Sequence, residues 1–267
     1  MSAQTHDKVF WHEAFYEALR LEFHEYLDSL TFLEEHPLSK EALIVDVIII
    51  KKVRDVQIKK NIGQIFRGHN LFEFKSEDDS LTIRDYNKVI GYAYLYASFV
   101  PVDVSDLTVS FAVTVHPRAL LAYLRNDRQF NVSDNGSGIY NIAGEVFPVQ
   151  ILESKKLLKE NNLFLKNLRS SLDVEDAKET AEAYKGLKTY DSKNVYMDRL
   201  IRANHDSFKE ATIMGEAARE LFLEVAEEQG WLEDKIKKIA QGLKKNNVST
   251  QIIVESTGLT AQEVEAL

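Results

Sequence analysis

Asp46 stands inside an apolar, β-branched run, Ala42-Leu43-Ile44-Val45-Asp46-Val47-Ile48-Ile49-Ile50. An ionised carboxylate in such a strand is costly unless it is paired or bound to a metal. The plain alternative is an Asp at the strand's end, solvated or salt-bridged. Further along, Leu71-Phe72-Glu73-Phe74-Lys75 offers a second carboxylate and a lysine. Alternate side chains of a strand share a face, so Phe72 and Phe74 point into a core while Glu73 and Lys75 point together to the other side. Two carboxylates suit a hard cation such as Mg²⁺. Such a cation stabilises charge on a phosphate and lowers the pKa of a bound water. The neighbouring lysine can orient that water or help to deprotonate it. The plain alternative here is an exposed Glu–Lys pair on an edge strand.

The acidic-x-Lys triplet recurs at Glu153-Ser154-Lys155, Glu233-Asp234-Lys235, Asp176-Ala177-Lys178 and Asp191-Ser192-Lys193. Only Glu73–Lys75 follows a strand bearing a central Asp and precedes a helix. Glu153–Lys155, at the end of a predicted strand, is the serious competitor. Order and context select the site, not the triplet.

The elements that must position these residues follow from periodicity. Residues 7–30 read as an amphipathic helix, with Phe15, Leu19, Phe23, Tyr26 and Leu30 at three- and four-residue steps. His36-Pro37-Leu38-Ser39 breaks it. Residues 42–50 read as a central strand covered on both faces. A second strand is expected at 56–59 and a third at 71–75, with a glycine-bearing bend between them. Residues 83–98 read as a helix, 107–115 as a strand, and His116-Pro117-Arg118 as a helix start with Pro in the first turn. Residues 131–138 carry turn chemistry. Residues 139–143 and 146–152 read as a hairpin. From residue 155 the chain turns helical and strongly charged, with one or two long helices over 198–230. Short helices follow at 235–245, 250–256 and 261–267, with Ser249 and Thr260 as caps. These elements predict an α/β fold with a domain over 1–155, a charged helical region over 156–230 and a small helix-turn-helix-like tail over 231–267.

Composition narrows the setting. Cys is absent, which excludes a disulfide framework and a Cys-ligated zinc. The N-terminus has no signal-peptide pattern, and no apolar run approaches the roughly 20 residues a bilayer span requires. A cytoplasmic protein without a membrane partner is expected. The net charge of −9 argues against nucleic-acid binding through the global field. Any such binding must use a local basic patch or a metal. No dinucleotide-binding glycine fingerprint, P-loop or nucleophile elbow is present in the sequence.

The segments FWHEAFYEAL, VDVIIIKK, NIGQIFRGHNLFEFKS, YNKVIGYAYLYAS and GLKKNNVSTQIIVESTGLTAQEVEAL resemble the PD-(D/E)XK nuclease superfamily, within it the bacterial PD-(D/E)XK family transposase or Rpn-like group. The resemblance covers residues 9–155 and the tail. It implies a restriction-endonuclease-like core, a central mixed sheet flanked by helices, followed by a helical C-terminal region. It also implies that Asp46 and Glu73 bind Mg²⁺ or Mn²⁺, that the Phe74 carbonyl is a further ligand, and that Lys75 acts near the attacking water. The first helix of that superfamily often adds an acidic group, for which Glu17 is the candidate, with Glu13 one turn earlier. Val45 stands where the family name places a proline.

Residues 51–67 hold Lys51, Lys52, Arg54, Lys59, Lys60 and Arg67 against Asp55 alone. This stretch joins the two acidic strands and could meet a phosphate backbone beside the metal. A well-solvated hairpin is its plain alternative. Lys88 and Tyr92, four apart on the following helix, could face substrate. His69 reads as a loop hydrogen bonder. The tail's last helix is dominated by Gln262, Glu263 and Glu265, so docking or dimerisation suits it at least as well as DNA reading. The function implied is a Mg²⁺-dependent DNA endonuclease, linked through the resemblance to transposition or recombination. The alternative is a catalytically silent nuclease-like fold serving as a binding or assembly module. A homodimer through the helical C-terminal region is a further expectation.

Overall fold

In a computed structural model, the structure describes residues 11–37, 44–51, 53, 55–134, 136–187 and 194–267. The described chain runs through helix Trp11–Glu22 (α1), strands Leu30–Pro37 (β1), Ile44–Lys51 (β2) and His69–Lys75 (β3), and helix Ile83–Phe99 (α2). Strand Leu107–Val113 (β4), helix Arg118–Asn126 (α3) and strands Asn131–Asp134 (β5), Ile139–Ala143 (β6) and Val149–Glu153 (β7) follow. The rest is helical: Lys159–Lys166 (α4), Val174–Lys185 (α5), Val195–Ala203 (α6), His205–Ala211 (α7), Glu216–Glu228 (α8), Trp231–Lys245 (α9), Thr250–Thr257 (α10) and Ala261–Ala266 (α11).

The described strands form one seven-stranded sheet in the order β1-β2-β3-β4-β7-β6-β5. It is mixed: β3–β4 and β4–β7 run parallel, and the other pairs antiparallel. The fold is thus α/β with helices on both faces, as the apolar β2 run requires of a strand covered on two sides. One face carries Val47, Ile49, Phe72, Phe74, Ala112 and Leu152 against α1. The other carries Ile48, Leu71, Phe111, Val113 and Ile151 against α2 and α3. Helix α2 begins at a reciprocal cap: Asp85 N–H donates to Thr82 Oγ1 at 3.2 Å and Thr82 N–H to Asp85 Oδ2 at 3.0 Å. Such a cap contributes about 1 kcal/mol and fixes where the helix leaves β3.

Several expectations are corrected. The helix expected over 7–30 ends at Glu22, and residues 30–37 form an edge strand, while residues 7–10 lie outside the described residues. Phe32 packs toward the α1 side and Leu33 toward the α2 side, a two-residue alternation hidden beneath the helical spacing that precedes it. No strand forms at 56–59. Both edges of β2 are already taken, by β1 and β3, so this segment cannot pair with the strand it follows. Part of the segment expected as turn, 131–134, pairs with β6 as an edge strand. The region over 198–230 holds three helices rather than one or two.

Helices α4 to α8 do not sit apart. Their Leu165, Tyr196, Leu200, Phe208 and Leu221 belong to the same core as α1 and the sheet, so no core boundary falls at residue 155. Glu22, 3% exposed, fastens this arrangement: its Oε1 accepts the Leu165 N–H at 2.7 Å, and it pairs with Lys60. Burial pushes the Glu22 carboxyl up, and Lys60 only partly offsets that. Helices α9 to α11 gather around Ala240, Ile253 and Val264 in a separate small core. Thr260 caps α11 as expected, whereas Ser249, expected to cap α10, makes no side-chain cap bond.

Candidate functional site

The β2–β3 ladder runs from Ile50↔His69 to Val47↔Phe72 and stops there. Beyond that point β2 stays paired with β1 out to Ile44, and β3 with β4 out to Lys75↔Val113. The two strands therefore fork, and Asp46 and Glu73 lie in the opening. The fork has local causes. Val47 and Ile49 face the α1 side and Ile48 the α2 side, yet Val45 is also on the α2 side, so the pleat's alternation breaks at Asp46. Across from Asp46, between the pairs Glu34↔Val47 and His36↔Val45, Glu35 has a left-handed φ of 42°. This turns the Asp46 carboxylate into the gap, where its Oδ2 accepts the Phe74 N–H at 2.8 Å. A side chain thus takes the hydrogen bond that a continued ladder would have made.

Glu73 is 4% exposed, and its Oε1 lies 3.2 Å from Lys75 Nζ and 3.7 Å from Lys88 Nζ. Phe72 and Phe74 point into the α1-side core, as strand alternation predicts. Burial is the larger influence pushing the Glu73 carboxyl up, and the Asp46 charge adds to it; Lys75 and Lys88 pull down without reversing the shift. Burial works against the Lys75 ammonium, but Glu73 and Asp79, the latter at 3.4 Å, raise it overall, so Lys75 holds its proton firmly. Lys88, expected to face substrate, lies beside Glu73; Tyr92 is buried, with the Lys88 ammonium 5.5 Å from its ring centre.

From the other face, Phe15 stacks on Phe74 with ring centres 4.7 Å apart. One turn earlier on α1, His12 reaches the gap: its Nδ1 is 3.4 Å from Asp46 Oδ1 and its ring packs edge-on to Phe74. The bond to Asp46 raises the His12 pKa against the opposing effect of burial. Sequence reasoning misses His12; its only signal is a position three residues before Phe15, flanking the buried stripe. Glu17, the expected acidic contribution of the first helix, is engaged elsewhere. Arg20 and Asn194 hold its two oxygens, each at 3.0 Å, and Glu13 pairs with Arg199 at 3.0 Å, so both turn toward α6.

The described residues of the basic stretch do not lie beside this gap. Lys51 is five residues along β2 from Asp46, about 16 Å away, at the opposite end of the sheet. There its N–H bonds the Gly68 carbonyl at 2.9 Å. Lys60 is held by Glu22 and Arg67 by the Ser105 carbonyl, whereas Lys59 is exposed. Lys52 and Arg54 lie outside the described residues. His69 is at that same far end, with Nδ1 2.7 Å from Tyr96 Oη.

The competing triplet occupies a different place. Glu153 ends β7, two strands from Lys75 along the row Lys75↔Val113↔Glu153. Its Oε2 meets His116 Nδ1 at 2.7 Å, the Tyr140 hydroxyl at 2.9 Å and Lys156 Nζ at 3.0 Å. Burial pushes this carboxyl up, but the bonds from His116, Lys156 and Tyr140 bring it below its ordinary value.

Among the described residues no three His, Cys, Asp or Glu side chains form a metal-binding cluster. What the fork offers a cation is two carboxylates of hard oxygen donors, one of them pushed up first by burial and then by the charge of the other, the second of which a divalent ion would offset. No helix of the described residues is long and apolar enough to cross a membrane. Comparison with known proteins adds no kinship to this geometry: no protein-family description, curated protein or solved structure matches the chain.

Proposed function

We propose that the chain is a metal-dependent DNA endonuclease of the PD-(D/E)XK type, acting at the β2–β3 fork. The observation that carries this is the convergence of Asp46, Glu73 and Lys75 where the ladder between their strands stops. The restriction-endonuclease-like identity of the core and the link to transposition or recombination rest on the sequence resemblance. Asp46 and Glu73 are the residues that would hold Mg²⁺ or Mn²⁺. When bound, the ion would supply Lewis-acid stabilisation of the phosphate's charge. Lys75 positions the water whose oxygen bonds to phosphorus; that water sheds a proton to solvent, and as the old phosphorus–oxygen bond breaks the strand's departing oxygen takes one up from solvent. Lys88 lies where it can meet a non-bridging phosphate oxygen. His12 orients Asp46 from the opposite side. The local cations Lys75 and Lys88, rather than the overall charge of −9, give the site its attraction for phosphate.

One observation favours the rival, a catalytically silent nuclease-like binding module: Lys75 and Lys88 already counter Glu73 without any ion. Plasmid nicking with Mg²⁺ or Mn²⁺, run beside Asp46→Ala and Lys75→Ala, separates the two. Nicking by the wild type that both variants lose supports the nuclease. A folded wild type that neither nicks DNA nor takes up either ion in calorimetry supports the silent module.

A further inference from the structure

Glu153 and its partners lie on the same face and at the same end of the sheet as Glu73 and Lys75. Val113, which separates the two groups, belongs with Phe111 and Ile151 to the α2-side core. Two strand spacings span about 10 Å, roughly the axial rise of three nucleotides of one strand. We propose that His116 and Lys156, held in place by Glu153 and Tyr140, form a second phosphate subsite for the strand that is cut at the fork. This rests on the nuclease reading and extends it.

The cluster is built to aim cations outward. One carboxylate oxygen, on a side chain 7% exposed, collects the three donors, while His116 and Lys156 remain 40% and 53% exposed. Lys156 also donates to the Tyr140 hydroxyl at 3.2 Å, which leaves the third ammonium hydrogen for a ligand. His116 spends Nδ1 on Glu153 and keeps Nε2 for the same use. The one carboxylate charge is matched by the Lys156 ammonium, and the donors left over at Lys156 and His116 suit an anion. A clamp serving only to tie β7 to its neighbours would not need donors left half-exposed with bonding capacity to spare.

Backbone packing makes the arrangement rigid. Gly138, at φ +78°, comes so close to the turn after β7 that a Cβ there would lie 2.9 Å from the Glu153 carbonyl oxygen and from Lys156. Its own carbonyl accepts the Glu153 N–H at 2.8 Å. Helix α3 starts at Arg118, directly after His116 and Pro117, and adds its positive end to the neighbourhood.

The test is a short DNA duplex in which a single neutral methylphosphonate is moved along one strand. Binding is read with Ca²⁺ and cleavage with Mg²⁺, for the wild type, Lys156→Ala, Lys156→Arg and His116→Gln. Neutralising one phosphate should weaken wild-type binding about tenfold at one position, near three nucleotides from the cut, and weaken Lys156→Ala less than about twofold there. Lys156→Arg should restore the dependence, and His116→Gln carries the same test should Lys156→Ala not fold. If neutralisation weakens wild type and variants equally at every position, the subsite is overturned, while continued cleavage would leave the nuclease reading standing. A position-specific dependence on Lys156 without cleavage would overturn the nuclease reading and, with it, a subsite for a cut strand, leaving only a contact to the DNA backbone.

Discussion

Glu73 and Glu153 both precede a lysine by two residues, stand on the same face of the sheet and lie at the same end of it, yet they reach opposite electrostatic states. Glu73 shares its opening with Asp46, and its carboxyl is pushed up. Glu153 has no second carboxylate among its bonding partners; three donors close on one oxygen and hold its carboxyl down. Burial and the Asp46 charge set the Glu73 state and the three donors set that of Glu153, while the backbone after each acid decides which lysine it meets. Residues 73–75 remain in a strand, so the lysine two positions on meets its own glutamate. Residues 154–156 form a 3-10 turn, in which side chains three apart align, so Lys156 meets Glu153 while Lys155 turns to Glu77 at 3.8 Å. A triplet makes a candidate metal site only when strand geometry persists through it and a forked neighbour brings a second acid.

The largest effects should separate the two acids by activity. Asp46→Ala and Lys75→Ala should lower metal-dependent plasmid nicking by about 10²-fold or more, whereas Glu153→Gln should lower it by no more than about tenfold. Equal losses at both sites would erase the distinction.

Stability should then divide them with opposite sign. In chelator, Glu153→Gln should cost about 1–2 kcal/mol in denaturant melts because it weakens charge-assisted bonds. Glu73→Gln should leave stability unchanged or raise it by up to about 1 kcal/mol, since burial and Asp46 disfavour the charge that it removes. The pH dependence follows. Glu153 is depressed on folding, so its contribution is complete above about pH 4.5 and is lost as pH falls through the lower folded value. Glu73 is raised, so its penalty holds near neutrality and is relieved as pH falls through its folded value. Melts of wild type and Glu153→Gln should therefore converge in acid.

Glu35 tests the fork itself. Glu35→Val places a β-branched residue at a left-handed φ and should cost about 1–2 kcal/mol more than Glu35→Gly, which adopts that conformation freely. Equal melting of the two variants would mean that the left-handed turn opposite Asp46 is absent. The smallest effect concerns the lysines after Glu153. Lys156→Ala should lower stability by about 0.5 kcal/mol, and Lys155→Ala by less. The reverse order would contradict the 3-10 register.

What residue order determined by itself was local. Two-residue alternation put Phe72 and Phe74 in the core and Glu73 beside Lys75, and the run around Asp46 marked a strand covered on both faces. Helical spacing located α2, and Thr260 with that spacing located α11, because caps and periodicity depend on near neighbours. Tertiary structure decided the rest. The edge strand β1 takes its form from pairing with β2, which no repeat within residues 30–37 declares against the helical spacing before them. That Lys60 and Arg67 stay at the far end of β2 depends on their partners Glu22 and the Ser105 carbonyl, while Lys51 is about 16 Å from Asp46 by the rise of β2 alone. His12 replaces Glu17 at the gap because the stacking of Phe15 on Phe74 sets the rotation of α1. Helices α4 to α8 join the α1-side core because that face of the sheet would otherwise leave apolar surface in water. Each of these depends on which distant surfaces meet, and distant contacts leave no period in the sequence to be read.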